Sequence, residues 1–254
     1  MVDFQRGSKV QLVAANGSDD LIIAAAKNST QFDVGKQKEN RLSFFNKKDK
    51  ASTVKQKQTV ESMSDKEKQG FINFLIRNEH MTPVEMPDMI FNIEFPIFIS
   101  REQVRHRMSS INEESARYSV IEAKYYIPPK DRPIVQVGRQ AQYKFEKGSG
   151  WQRKRMEFWM KTSYRFSDFV YRHLLDIGIT RELARVVNPV GLYTRMTVKM
   201  NLRSLMNYLT LRTETEKSKP QLEIQEVAQQ MEVFFKENYP LTYQAFIQYV
   251  RADK

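Results

Sequence analysis

Residues 105–118 read RHRMSSINEESARY. Three arginines, Arg105, Arg107 and Arg117, stand there with a run of serines and Glu113. Guanidinium forks match phosphate oxygens in pairs, and hydroxyls and amides suit pyrimidine carbonyls. A basic helix end followed by a serine-rich turn is more often plain solvated surface. The neighbouring sequence has to decide between the two.

Upstream, Ser100 is placed to cap a helix on which Val104 and Met108 share one face and Arg101 and Arg105 another. Before it, Met89, Phe91, Ile93 and Phe95 alternate with Ile90, Asn92 and Glu94, the period of a half-buried strand, and Pro96 ends the run. Ser64 and Glu67 have capping-box spacing ahead of Phe71, Phe74 and Leu75, predicting a helix that stops near Asn78. Residues 9–16 predict a strand, with Asp19 or Asp20 capping a helix after it. Between them, about 36–63 is lysine-rich with little apolar periodicity and reads as an insertion or long loop, tethered by Phe44 and Phe45.

Downstream, Tyr125 and Tyr126 mark a strand running into a proline-rich loop. Trp151 to Ile177 predicts a long amphipathic helix with apolar residues at 158, 169, 170 and 174, closed by Gly178. A helix capped by Thr180, a strand over 192–200, and helices over 202–212 and 221–237 follow, then a terminal one. The expected class is α/β in the α+β sense, a mixed or antiparallel sheet flanked by helices.

With 254 residues and 41% hydrophobic content the chain can bury a core, and we read 1–254 as a single domain. No apolar run is long enough for a membrane span and no signal pattern opens the chain, so the expectation is a soluble, cytoplasmic protein. The lack of cysteine excludes disulfides, thiolate nucleophiles and cysteine-ligated metals. His80, His106 and His173 form no close pair, so no metal site is expected; His173 reads as structural or surface. A net charge of +11 favours anionic ligands without choosing among them.

The stretch matches RHRxxSxxExSxR at all seven fixed positions, a coincidence on the order of one in a billion per start. That pattern resembles the signature of flavin-dependent thymidylate synthases. His80–Glu85 resembles the family's HxTPxE segment, residues 192–195 its LYTR strand, and Asn201–Leu205 its NxRSL helix. The resemblance implies a fold of the thymidylate synthase-complementing type. It also implies reductive methylation of dUMP to dTMP, with methylenetetrahydrofolate as carbon donor and FAD, recharged by NADPH, as hydride source. The missing cysteine agrees, since the other class of thymidylate synthase needs that nucleophile.

By position, the resemblance places Thr82, Arg105, His106, Arg107, Glu113, Thr210, Leu211 and Arg212 at FAD. It places Glu102, Gln103, Val104, Arg105, Glu113, Glu114, Ser115, Ala116, Arg117 and Arg195 at dUMP. It further implies a homotetramer with shared active sites. Gln225 stands at the catalytic position where the family usually carries an arginine, and a neutral amide does not stabilise an anion as a cation does. Lys217 or Lys219, on a longer preceding loop, is a candidate substitute. Two rival readings remain at this stage: a flavin- and nucleotide-binding homologue with lost or altered activity, and a basic nucleic-acid-binding module.

Overall fold

The computed structural model describes residues 2–30, 60–139, 144–215 and 218–251. In chain order the elements begin with β1 (Asp3–Gln5), β2 (Lys9–Asn16), α1 (Asp19–Thr30), α2 (Asp65–Arg77), β3 (Asp88–Pro96) and α3 (Ile97–Gln103). Next come β4 (Ser110–Glu113), β5 (Lys124–Tyr126), β6 (Val135–Val137), β7 (Lys144–Glu146) and α4 (Gly150–Asp176). The chain continues through α5 (Arg181–Ala184), β8 (Tyr193–Asn201), α6 (Leu202–Arg212), α7 (Leu222–Asn238) and α8 (Pro240–Ala245), and a π-helical turn extends α8 from Phe246 to Arg251.

The organising unit is a four-stranded antiparallel sheet in the order β2-β3-β8-β4. Side chains on a strand alternate between faces, so Met89, Phe91, Ile93 and Phe95 on β3 and Met196, Val198 and Met200 on β8 are buried on one side. That side is closed by α1, α2, α6, α7 and α8, whose Ile22, Ile72, Leu205, Val227 and Ala245 belong to the same core. In β2 the register shifts between Leu12 and Ala14, leaving Val13 as the extra residue, 54% exposed. This bulge changes the parity of the strand, so Val10 and Leu12 precede it and Ala15 follows it on the core side. The opposite face carries Lys9, Gln11, Asn92, Glu94, Arg195 and Thr197 and is covered by none of these helices.

A second, smaller core of Ala123, Tyr125, Ile127, Tyr164 and Leu192 ties β5 and α4 to the start of β8. Tyr125 and Tyr164 stack with centroids 4.8 Å apart. Gly191 lies so close to the Tyr164 ring that a Cβ there would collide with it.

The capping box at Ser64 and Glu67 is present in both directions, and β3, α6 and α7 lie where their periodicity predicts. Four expectations need correction. Ser100 caps nothing: α3 starts at Ile97 after Pro96, and Ser100 is buried with its hydroxyl donating to the Ile97 carbonyl. That helix stops at Gln103, because the chain must turn to lay β4 along β8, so Val104 and Met108 share no helical face. Asp19 begins α1 but caps a different helix, accepting from the Leu241 and Thr242 amides, both at 3.0 Å. On α4 the packed side is Tyr164, Asp168 and Tyr171, while Phe158 and Phe169 are 60% and 65% exposed.

Most of the lysine-rich stretch, with Phe44 and Phe45, lies outside the described residues, as does Lys217. At its end Val60–Ser62 forms a 3-10 turn, and Val60 and Met63 pack on the main core.

Alternation on β3 sets a direct test. Phe91→Ala should lower the free energy of unfolding in urea by about 3–5 kcal/mol. Asn92→Ala, one residue on and facing out, should cost under about 1 kcal/mol. Comparable losses would contradict the assigned faces.

Candidate active site

Beyond α3 the signature stretch forms a tight loop and then the edge strand β4. Ser109 donates its hydroxyl to the His106 carbonyl at 2.6 Å, fixing the loop before the strand begins. The loop residues Arg105, His106 and Arg107 line a cleft of about 630 Å³ with Arg203, Asn207, Leu211 and Arg212 of α6. Asn201 sets the start of that helix, its side-chain oxygen accepting from the Ser204 amide at 2.8 Å. Arg203 pairs with Glu85, so the HxTPxE and NxRSL segments meet across 118 residues of chain.

His106 is held from two sides. Arg212 Nε donates to His106 Nε2 at 2.9 Å, and the His106 ring packs edge-on against Tyr208 at 4.6 Å. A guanidinium can only donate, so Nε2 is the acceptor and the ring proton sits on Nδ1. Burial, reinforced by the Arg212 charge and opposed by Glu102, lowers the His106 pKa to about 4. The ring is therefore neutral at physiological pH. Arg212 itself is fixed by the Glu102 carboxylate at 2.7 Å and the Glu102 carbonyl at 3.2 Å.

On the open face of the sheet lies a second cleft, of about 600 Å³. Its floor is two cross-strand rows set by the register. One is Lys9, Glu94 and Arg195; the other is Gln11, Asn92, Thr197 and Asn112. Glu113 and Glu114 line its edge, and Lys124 enters from β5. Thr194 Oγ1 donates to Glu113 at 2.9 Å, and the Glu114 amide donates to the Arg195 carbonyl at 2.8 Å. Burial pushes the Glu94 carboxyl up, but Arg195 and Lys124 overcome it and hold the group below its usual range.

The remaining candidates are spread more widely. Thr82 is exposed at the start of a 3-10 turn, and Thr210 is buried with its hydroxyl on the Met206 carbonyl. Gln103 is fully buried, and both its amide atoms lack a hydrogen-bond partner among the described residues. Val104 ends α3, 43% exposed. Ser115 stabilises a turn, its Oγ accepting from the Arg117 amide at 3.3 Å, and Ala116 is buried beside it. Arg117 lies in a third cleft, pairing with Glu182 at 3.3 Å. Gln225 is half-buried in the first turn of α7, while Lys219 pairs with Glu214 at the surface. His173 is exposed on α4 against Phe169.

Lys9, Gln11, Asn92, Glu94 and Lys124 were not among the sequence candidates. Alternation marks the strand residues as outward-facing, but only the register brings them together. Among the described residues no cluster of three or more His, Cys, Asp or Glu is arranged to hold a metal, and no helix is long and apolar enough to cross a membrane.

Comparison with known proteins places this geometry in context. A family profile described as thymidylate synthase complementing protein matches residues 11–241. A flavin-dependent thymidylate synthase of Streptomyces avermitilis is 41% identical over 248 residues, covering 96% of this chain and 92% of that protein. One from Tropheryma whipplei is 42% identical over 181 residues, covering 70% and 75%. Among solved structures, the UMP/dUMP methylase PolB of Streptomyces cacaoi, bound with 5-Br UMP, superimposes with a TM-score of 0.81 at 31% identity, covering 98% of both chains.

The Arg212 contact generates a measurable expectation. With only three histidines in the chain, His106 can be followed by heteronuclear NMR. Arg212→Met should move its titration from about 4 toward the ordinary 6.5 without reaching it, since burial is the larger cause. Nδ1 should also lose its exclusive hold on the proton. An unchanged titration and tautomer would remove Arg212 from this role.

Proposed function

The chain belongs to the flavin-dependent thymidylate synthase family, and on that premise we propose that it converts dUMP to dTMP with methylenetetrahydrofolate as carbon donor, FAD as hydride carrier and NADPH as reductant. The observation that carries this reading is that the signature lines two clefts of different chemistry, Arg105–Met108 one and Asn112–Glu114 the other. One is rich in arginine beside a neutral histidine; the other is floored by amides, hydroxyls and paired charges.

The donor set of the first cleft fits a flavin dinucleotide. Arg105, Arg107 and Arg203 would hold its diphosphate, and the His106 Nδ1–H and the Asn207 amide would meet its polar edge. When bound and reduced, that group supplies the hydride that turns the transferred methylene into a methyl. The chain's own part is to hold and polarise the nucleotide. Arg195 offers a fork for phosphate, and Glu113, steadied by Thr194, accepts hydrogen bonds at the edge of the open-face cleft. Gln225 would hydrogen-bond the uracil ring without adding positive charge.

Two features support an assembly in which several copies share the active sites. Arg117 lies in a cleft apart from Arg195. The outer side of α4 leaves Trp151, Phe158, Trp159, Phe166 and Phe169 each more than half exposed, a set of aromatics of the kind a second copy covers. The homotetramer, the single-domain organisation and a cytoplasmic location complete the proposal.

Purified protein should carry a yellow flavin absorbance and release tritium from 5-tritiated dUMP only when methylenetetrahydrofolate and NADPH are present. Colourless protein after FAD addition would overturn the reading, while flavin without tritium release would indicate a homologue with altered chemistry. In the same assay Gln225→Arg should raise turnover by about tenfold, equivalent to ~1.4 kcal/mol of barrier.

A further inference from the structure

Arg195 does not stand free in its cleft. Its Nε lies 3.0 Å from Glu94 and its Nη2 3.2 Å from Glu122. Lys124 completes the set, with its ammonium 3.3 Å from Glu94 and 3.4 Å from Glu122. Two cations and two carboxylates therefore alternate in a closed ring. The two carboxylates are unequal: the Glu94 side chain is 17% exposed and that of Glu122 is 65% exposed.

Glu94 is built into the sheet, in register between Lys9 on β2 and Arg195 on β8. Both Arg195 and Lys124 favour its charged form. Glu122 instead sits on the segment just ahead of β5, and its two ion pairs are its side-chain contacts among the described residues. An exposed carboxylate paired in this way contributes little and is readily exchanged. A phosphate monoester brings nearly two charges and three acceptor oxygens to the same donors, enough for a paired contact with the guanidinium and another with the ammonium.

We propose that Lys124 and Arg195 together clamp the 5′-phosphate of the nucleotide substrate, and that Glu122 is a resident counter-ion which the phosphate displaces. This rests on the reading of the chain as a dUMP-binding enzyme. Lys124 lies outside the signature and its companion segments, yet it lines both the open-face cleft and the smaller recess beside it that contains Glu122. Glu94 is paired with both cations and keeps them side by side, so the phosphate settles on the guanidinium and ammonium where the cleft meets the recess.

The test measures dissociation constants of dUMP and of deoxyuridine by calorimetry on the flavin-loaded full chain. Lys124→Met should weaken dUMP binding by about 10- to 100-fold with deoxyuridine unchanged, and Lys124→Arg should restore most of the loss. Glu122→Gln should tighten dUMP by about 3- to 10-fold and again leave deoxyuridine alone. If wild-type protein binds dUMP and Lys124→Met leaves the dUMP-to-deoxyuridine ratio unaltered, the clamp is wrong and the functional reading survives. If wild-type protein binds no dUMP, the functional reading fails and takes the clamp with it. Equal weakening of both ligands by Lys124→Met would mark a structural role and overturn the proposal.

Discussion

Strand β8 has to serve two surfaces at once, and the rest of the molecule follows from that constraint. A two-residue period sends Met196, Val198 and Met200 into the helical layer and Arg195, Thr197 and Lys199 to the other side. Its neighbours conform. β3 pairs with it along its whole length, so Phe91 and Ile93 deepen the core while Asn92 and Glu94 extend the polar floor. A one-residue slip would bury arginine and expose methionine, so burial of the core fixes the register that assembles the cleft.

The same strand forces the signature stretch into its shape. β4 is short, exposed throughout and borders β8, which requires the chain to leave α3 at Gln103 and turn within the six residues 104–109. That turn places His106 against Tyr208 and Arg212 on α6, and it sets the carboxylates of 113 and 114 at the mouth of the open face. One continuous segment thus serves both clefts, its loop lining one and its strand the other.

Charge is handled differently in the two places. Around His106 the surroundings keep a titratable ring neutral, so it is a dependable single donor across the physiological range. On the open face the charges are retained but balanced, two against two, which keeps strongly basic groups solvated and paired until an anion competes for them. Glu223 shows a third arrangement: burial pushes its carboxyl up, yet hydrogen bonds from Arg132 and Tyr126 outweigh that, locking the proline-rich loop to the first turn of α7 two residues from Gln225.

Much was legible from the chain alone. Spacing identified β3, α6, α7 and the Ser64 capping box, because alternation, helical period and capping chemistry act over a few residues. The signature and its companion segments identified the family and singled out Glu113 and Arg195, which line the open-face cleft, because side-chain identity at fixed spacing survives without coordinates. The packed side of α4, the helix that Asp19 caps, the Arg212 contact to His106 and the ring around Lys124 were not legible. Each joins residues many positions apart, across 106 for Arg212 and His106 and 222 for Asp19 and Leu241. Such meetings depend on strand register and on how helices seat against the sheet, and these are settled by burial of the whole core.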